Sequence, residues 1–378
     1  MHRHGIFLWS MAVCLLCLFG GCQAAEESLT TAVEKNERIL TLTLTPVASE
    51  TGTPISTHPS APTSIPTVSP TVVPSPTVAP SPTPTEPPVK TVLTVSEFLT
   101  SIASDAGVLS SYDSKLSEDM TASAALLLNL TKQEPLYAYH VFDRLYPASI
   151  TKLMTALLAL EQGDLSETVS VRAEAIRPFY SGEEFSGAKL CGFPAESQMT
   201  MEELLTSMLV CSGNDAAAAV AAWISGAEEI FVAQMNERAA TLGAIRTSYC
   251  NSHGMHQDAQ VTTAYDTYLI INELVHYDKF LSIISNAAYT VSYQTKGKTV
   301  SKTFSTTNQY LKGTYLPPEG LSVLGGKTGT TKKAGSCLTL LVTDSKKELY
   351  VAEIFGAADM DALYREMNLL LDRIAAEE

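Results

Sequence analysis

Between Pro46 and Pro88 the 378-residue chain carries 13 of its 19 prolines in 43 residues, interleaved with Thr, Ser and Val. Such a stretch cannot form a packed core and favours extended polyproline II, rising about 3.1 Å per residue. It reads as a semi-rigid stalk reaching on the order of 130 Å. The segment divides the chain, so that any globular fold has to come from residues after about Thr94. Three parts are expected: residues 1–22 as a signal, 23–93 as a disordered Pro/Thr/Ser-rich linker, and 94–378 as the folded domain.

The first part has a short basic start at Arg3, an apolar run from Ile6 to Phe19, and then Gly20-Gly21-Cys22. That run falls short of the roughly 20 apolar residues that span a bilayer, so a cleaved export signal is expected. Leu18-Phe19-Gly20-Gly21-Cys22 is similar to a bacterial lipobox, with Phe19 where Leu is usual, and would place a lipid on Cys22 as membrane tether. Ordinary cleavage near Ala24 or Ala25, or an uncleaved anchor, are the alternatives. Either way the mature protein would lie outside the cytoplasmic membrane.

Past the signal only Cys191, Cys211, Cys250 and Cys337 remain. Four cysteines in a domain this long are not a disulfide scaffold, because such a domain buries enough core unaided. Cys211 and Cys337 sit in apolar surroundings and read as buried free thiols, and a Cys191 to Cys250 bridge is one pairing open to the others. The net charge of −15 argues against nucleic acid as a partner, since a phosphate backbone requires a basic patch. His253 and His256 form an H-x-x-H pair, but without a following glutamate or a third ligand neither a metal nor any other cofactor is expected.

Pro147-Ala148-Ser149-Ile150-Thr151-Lys152 opens an apolar helix that runs from Leu153 to a stop at Gly163. Residues three apart on a helix share a face, so the Ser149 hydroxyl and the Lys152 amine would meet in one pocket. Serine is a weak nucleophile until a base takes its proton. An ammonium with an ordinary pKa of about 10.4 cannot serve unless burial or a second cation lowers it. Alone the pattern means little, for Ser186-Gly187-Ala188-Lys189 repeats it in a Gly-rich loop.

Two more motifs add weight. Ser212-Gly213-Asn214 lies between the apolar segment Met201 to Val210 and the helix Asp215 to Ile224. Lys327-Thr328-Gly329-Thr330 follows Leu321 to Gly326 and leads into the strand Ser336 to Val342. The steps are 63 residues (212 − 149) and 115 residues (327 − 212). Ser-x-x-Lys, Ser-x-Asn and Lys-Thr-Gly in that order are the set found in penicillin-recognising enzymes.

From about Ala122 to Ala357 the chain resembles the low-molecular-mass penicillin-binding proteins, the serine-type D-Ala-D-Ala carboxypeptidases. The resemblance includes Ser212 through Ala217, Asn251-Ser252-His253-Gly254-Met255, Thr262 through Asp266, and Gly326 through Leu338. The family usually has Pro at position 252 and Leu at 255, departures that affect a loop and not the chemistry.

Strands are expected at Ala122 to Leu130, Leu136 to Val141, Tyr289 to Tyr293, Thr299 to Phe304, Leu321 to Thr328, Ser336 to Thr343 and Glu348 to Phe355. Helices are expected at Met201 to Val210, Asp215 to Ile224, Glu228 to Leu242 and Val261 to His276. Strands at both ends with helices between suggest one antiparallel sheet with helices on its faces. The resemblance implies the same α+β class, an αβα sandwich on a five-stranded antiparallel sheet. Asp359 to Glu378 should close the domain as an amphipathic helix. Many family members continue into a β-rich domain and a basic membrane helix. Here the final helix carries six acids and two bases, which fits an N-terminal anchor better.

The resemblance also implies acyl transfer on a peptidoglycan stem peptide ending in D-Ala-D-Ala, with β-lactams as covalent inhibitors. Ser149 would attack the penultimate carbonyl and Lys152, kept neutral partly by Lys327, would accept its proton. Backbone N–H groups of Ser149 and Thr330 would form the oxyanion hole. Ser212 would pass a proton to the leaving amine and Asn214 would hold the substrate amide. Lys327, with the hydroxyls of Thr328 and Thr330, would bind the terminal carboxylate, and Gly329 would let the substrate lie against the strand. A class A β-lactamase would add Glu-x-x-Leu-Asn, absent from Asp215 to Gly326. A DD-endopeptidase would use the same residues, and a non-catalytic wall-binding or antibiotic-sensing module is the alternative from another class, against which all the catalytic residues stand here.

Overall fold

The computed structural model describes residues 114–181 and 185–375. The expected signal, Cys22 and the Pro-rich segment lie outside the described residues.

The strands that build the main sheet are continuous apolar runs where they are buried on both faces and more polar at the two edges. They are β1 (Ala124–Asn129) and β2 (Glu134–Tyr139) near the start of the domain, and β7 (Ser322–Thr331), β8 (Gly335–Thr343) and β9 (Leu349–Ala357) near its end. They pair in the order β2-β1-β9-β8-β7, and every pairing is antiparallel. Alternation sends Ala125, Leu127, Leu338, Leu340, Ala352 and Ile354 to one face. Ala124, Leu126, Cys337, Leu341, Val351 and Phe355 go to the other.

The remaining strands form a second sheet: β3 (Thr168–Ser170), β4 (Gln198–Thr200), β5 (Ala288–Thr295) and β6 (Lys298–Ser305), in that order. This corrects the expectation of one sheet. The segments around Tyr289 and Thr299 are strands, but they alternate polar and apolar residues and bury one face only, so they cannot sit in a sheet covered on both sides. Their two-residue turn, Lys296-Gly297, has φ of 48° and 70°, the left-handed geometry of a tight hairpin.

Among the described residues six helices of seven residues or more lie between β2 and β7 in sequence: α1 (Lys152–Gln162), α2 (Met201–Cys211), α3 (Asn214–Ser225), α4 (Glu228–Leu242), α5 (Ala264–Leu274) and α6 (Asp278–Ile284). α2 begins with a capping box, Thr200 and Glu203 each bonding the other's backbone N–H. α5 is shorter than expected because the Thr263 side chain caps it by accepting from Asp266 N, leaving Val261 and Thr262 outside. Among the described residues no single helix is long and apolar enough to cross a membrane.

The last helix, α7 (Met360–Ala375), lays Leu363, Met367, Leu370, Leu371 and Ile374 on the sheet face lined by Leu338 and Leu340. Its fully buried Glu366 accepts from Thr121 N at 2.8 Å, Thr121 Oγ1 at 2.7 Å and Ala122 N at 3.0 Å. Those bonds fasten the end of the domain to its beginning. Glu366→Ala strands two backbone donors and is expected to cost about 2–4 kcal/mol, read as a lower urea midpoint with an unchanged slope.

Candidate active site

Ser149 lies in a single 3₁₀ turn, Ala148–Thr151, that leads directly into α1. In this tighter helix residues three apart eclipse, which stacks Lys152 over Ser149 more closely than an α-helix would. The Thr151 hydroxyl donates to Ala148 O at 2.8 Å and secures the turn. Two glycines let neighbouring backbone crowd it. A Cβ at Gly254, where φ is 91°, would sit 1.9 Å from Ala148 O. One at Gly329 would sit 2.8 Å from Pro147 O and 3.0 Å from Ser149 N. β7 therefore passes against the turn, bringing the Gly329-Thr330 backbone beside Ser149 N.

The second motif is positioned by strain. α2 ends at Cys211, and Ser212 terminates it in the left-handed conformation, φ 64° and ψ 33°. Glycine usually fills such a position, and a residue with a Cβ pays about 1 kcal/mol for it. The turn reverses the chain so that Asn214 starts α3 and faces back toward α1.

The two lysines converge on these groups, and both are fully enclosed, Lys152 at 0% exposure and Lys327 at 1%. Lys152 Nζ lies 3.1 Å from Ser149 Oγ and 2.6 Å from Asn214 Oδ1, and also donates to His253 O. Lys327 Nζ donates to Ser212 Oγ at 2.7 Å and to Thr328 O at 2.8 Å. Burial, and after it the nearby Lys327 cation, hold the Lys152 amine well below the ordinary lysine range. Burial brings Lys327 down to about 7. A neutral Lys152 has two N–H bonds, which the acceptor-only oxygens of Asn214 and His253 take up. Its lone pair is then left for the Ser149 hydroxyl proton.

The sequence-derived residues thus fall into two contacting sets, Ser149, Lys152 and Asn214 in one and Ser212 with Lys327 in the other. Thr328 Oγ1 lies 2.6 Å from Thr307 Oγ1, and Thr330 is exposed at the edge strand. The second Ser-x-x-Lys is elsewhere in role: Ser186 is exposed, and Lys189 offers its carbonyl to Asn214 N at 2.8 Å.

Sequence reasoning gave no role to several residues that shape the site. The His253 carbonyl anchors Lys152, and the signal was the Asn251-to-Met255 motif, where Asn251 Oδ1 accepts from Gly254 N at 2.7 Å. Ser252, standing where the family has Pro, donates its N–H and hydroxyl to Glu228 Oε1 at 2.9 and 2.6 Å. The departure ties this loop to α4. Asp215, buried, accepts from Cys191 N at 2.8 Å and Gly192 N at 2.7 Å, clamping that loop to α3. The four described cysteines are free thiols, Cys191 included.

The two histidines of the H-x-x-H pair separate. His253 is buried, accepts from Met255 N at 3.1 Å and packs edge-on against Phe179. His256 is at the surface, 3.1 Å from Asp258. Among the described residues no three His, Cys, Asp or Glu side chains converge on a metal site. Burial, then the charge of Lys152, lowers His253 from 6.5 to about 3. The unfolded chain therefore binds a proton here that the folded one does not, and stability falls as pH drops below 6.5 toward 3. Between pH 7 and 5 this amounts to about 2 kcal/mol. Urea titrations at the two pH values should show it, with a flatter dependence in His253→Gln.

The family model of D-alanyl-D-alanine carboxypeptidase matches residues 111–358. D-alanyl-D-alanine carboxypeptidase DacF of Bacillus subtilis is 31% identical over 251 residues, covering 66% of this chain and 61% of that protein. For DacC of Escherichia coli the values are 27% over 255 residues, 66% and 60%. The match thus spans about three fifths of these relatives' length. The crystal structure of the Streptomyces K15 DD-transpeptidase superposes with a TM-score of 0.63 at 22% identity, over 70% of this chain and 99% of that one. At that identity the likeness shows the fold.

Proposed function

The chain belongs to the D-alanyl-D-alanine carboxypeptidase family, and from that premise we propose that it removes the terminal D-alanine from peptidoglycan stem pentapeptides through an acyl-enzyme on Ser149. The observation that supports this best is the three-way contact of the buried Lys152 amine with Ser149, Asn214 and the His253 carbonyl.

Ser149 Oγ attacks the carbonyl carbon of the penultimate D-alanine as its proton passes to neutral Lys152. The oxyanion is held by the backbone N–H groups of Ser149 and Thr330. When the tetrahedral intermediate collapses, the C–N bond breaks and the leaving amine takes a proton by way of Ser212. Lys327 keeps the positive charge that Lys152 has given up and meets the substrate's terminal carboxylate together with Thr328 and Thr330. Asn214 orients the substrate amide, and Gly329 gives it room along β7. Water, activated by the same Lys152 amine, then attacks the ester carbon and releases Ser149.

A penicillin presents a strained amide beside a carboxylate and enters by the same route. The substrate places the enzyme in the cell envelope, and residues 1–22 supply an export signal, with lipid on Cys22 as tether and the Pro-rich segment as stalk.

With diacetyl-Lys-D-Ala-D-Ala the protein should release free D-alanine, and Ser149→Ala should lower that rate at least a thousandfold. A labelled penicillin should add its mass to the peptide carrying Ser149 and not to the variant. No D-alanine release, with cross-linked muropeptides separated into stem peptides instead, or an adduct that persists in Ser149→Ala, would refute the reading.

A further inference from the structure

Beside the candidate active site two thiols face each other across the loop that carries Ser212. Cys211 is the last residue of α2 and directly precedes Ser212. Cys191 belongs to the segment Lys189 to Phe193, which is fixed to the start of α3 by Asn214 N on Lys189 O and by the Asp215 carboxylate on Cys191 N and Gly192 N. Lys302 Nζ donates to Cys191 O from β6. Each sulfur reaches over to the other's segment, Cys211 Sγ to Leu190 O at 3.5 Å and Cys191 Sγ to Ser207 O at 3.4 Å. Each thiol thus lies against the backbone that flanks the other. Gly213 makes the room, since a Cβ there would lie 2.4 Å from Cys191 Sγ.

We propose that Cys191 and Cys211 are a redox modification site, closing to a disulfide when they meet a peroxide. Cys211 is the less enclosed thiol, at 5% exposure against 0% for Cys191. Among the described residues it is also the one cysteine whose pKa is lowered, first by the hydrogen bond from Cys191 and then by the charges of Lys189 and Lys302. It is the nucleophile of the pair. The Cys211 thiolate attacks one peroxide oxygen and releases hydroxide, leaving a sulfenic acid. The Cys191 sulfur displaces the sulfenic oxygen, which leaves as water after taking up protons. Two thiols and one hydrogen peroxide thus give one disulfide and two waters. Each sulfur loses one electron and each peroxide oxygen gains one.

The bond alters the site through Ser212. Closing the sulfurs to about 2.05 Å moves Cys211, and the Ser212 hydroxyl already sits at its optimum 2.7 Å from Lys327 Nζ, so the shift lengthens that contact. Oxidation should therefore slow acylation of Ser149.

The full chain, reduced and then treated with hydrogen peroxide, is digested without reductant by a glutamate-specific protease. Cleavage after Glu196, Glu202 and Glu203 puts the two cysteines on separate peptides, whereas trypsin leaves both on one, Leu190 to Arg238. The expected product is one cross-linked pair, two mass units lighter than the summed peptides, formed in neither Cys191→Ser nor Cys211→Ser and dissolved by dithiothreitol. Should either variant fail to fold, the cross-link in the wild-type chain still decides. A free Cys191 beside a sulfinic Cys211, or either thiol joined to Cys250 or Cys337, would overturn the site. Penicillin acylation of the oxidised protein should be several-fold slower and recover with dithiothreitol, while an unchanged rate in cross-linked protein would overturn the coupling to Ser212. The coupling rests on the proposed acyl-enzyme chemistry. The cross-link does not, so the two can fail separately.

Discussion

The desolvated amine of Lys152 is the constraint around which the molecule is arranged. An ammonium in bulk water holds its proton at neutral pH and cannot act as a base. Enclosing the group makes the charged form expensive, and a second buried amine nearby makes it more so. The pair then carries one positive charge more easily than two: burial and the neighbouring Lys327 hold Lys152 well below the ordinary lysine range, and burial brings Lys327 down to about 7.

Burying two amines costs on the order of several kcal/mol each, and the fold has to supply it. The sheet, with apolar side chains on both faces, gives Lys327 a rigid strand to stand on. The helices then deliver the other groups from one side: the 3₁₀ turn for Ser149, the strained end of α2 for Ser212, the first residue of α3 for Asn214. Gly254 and Gly329 remove the atoms that would hold the pieces apart. Ser212 in a left-handed conformation and a neutral histidine under the site are local costs that only a well-packed surrounding tolerates.

Much of this was legible in the sequence because it depends on spacing. Ser149 and Lys152 are three residues apart, and helical geometry alone puts them together. The αβα class followed from apolar runs at both ends of the domain with periodic helices between. What spacing could not reveal were contacts made by backbone. The His253 carbonyl has no side-chain signature, so its hold on Lys152 was hidden inside a recognisable loop motif. The second sheet was missed although its signal was present: β5 and β6 alternate polar and apolar residues where the inner strands of the main sheet do not. Cys191 finds Cys211 because Asp215 folds one loop onto another, and separation along the chain gives no hint of that.

The protonation state of Lys152 can be observed directly in protein labelled with ¹⁵N at lysine side chains, following Nζ of Lys152 as pH is varied and assigning it by its loss in Lys152→Arg. A neutral amine at pH 7, taking up its proton only at a pH well below that of the surface lysines, is the predicted result. Titration near the ordinary value of 10.5 would contradict the account, because Ser149 would then have no base.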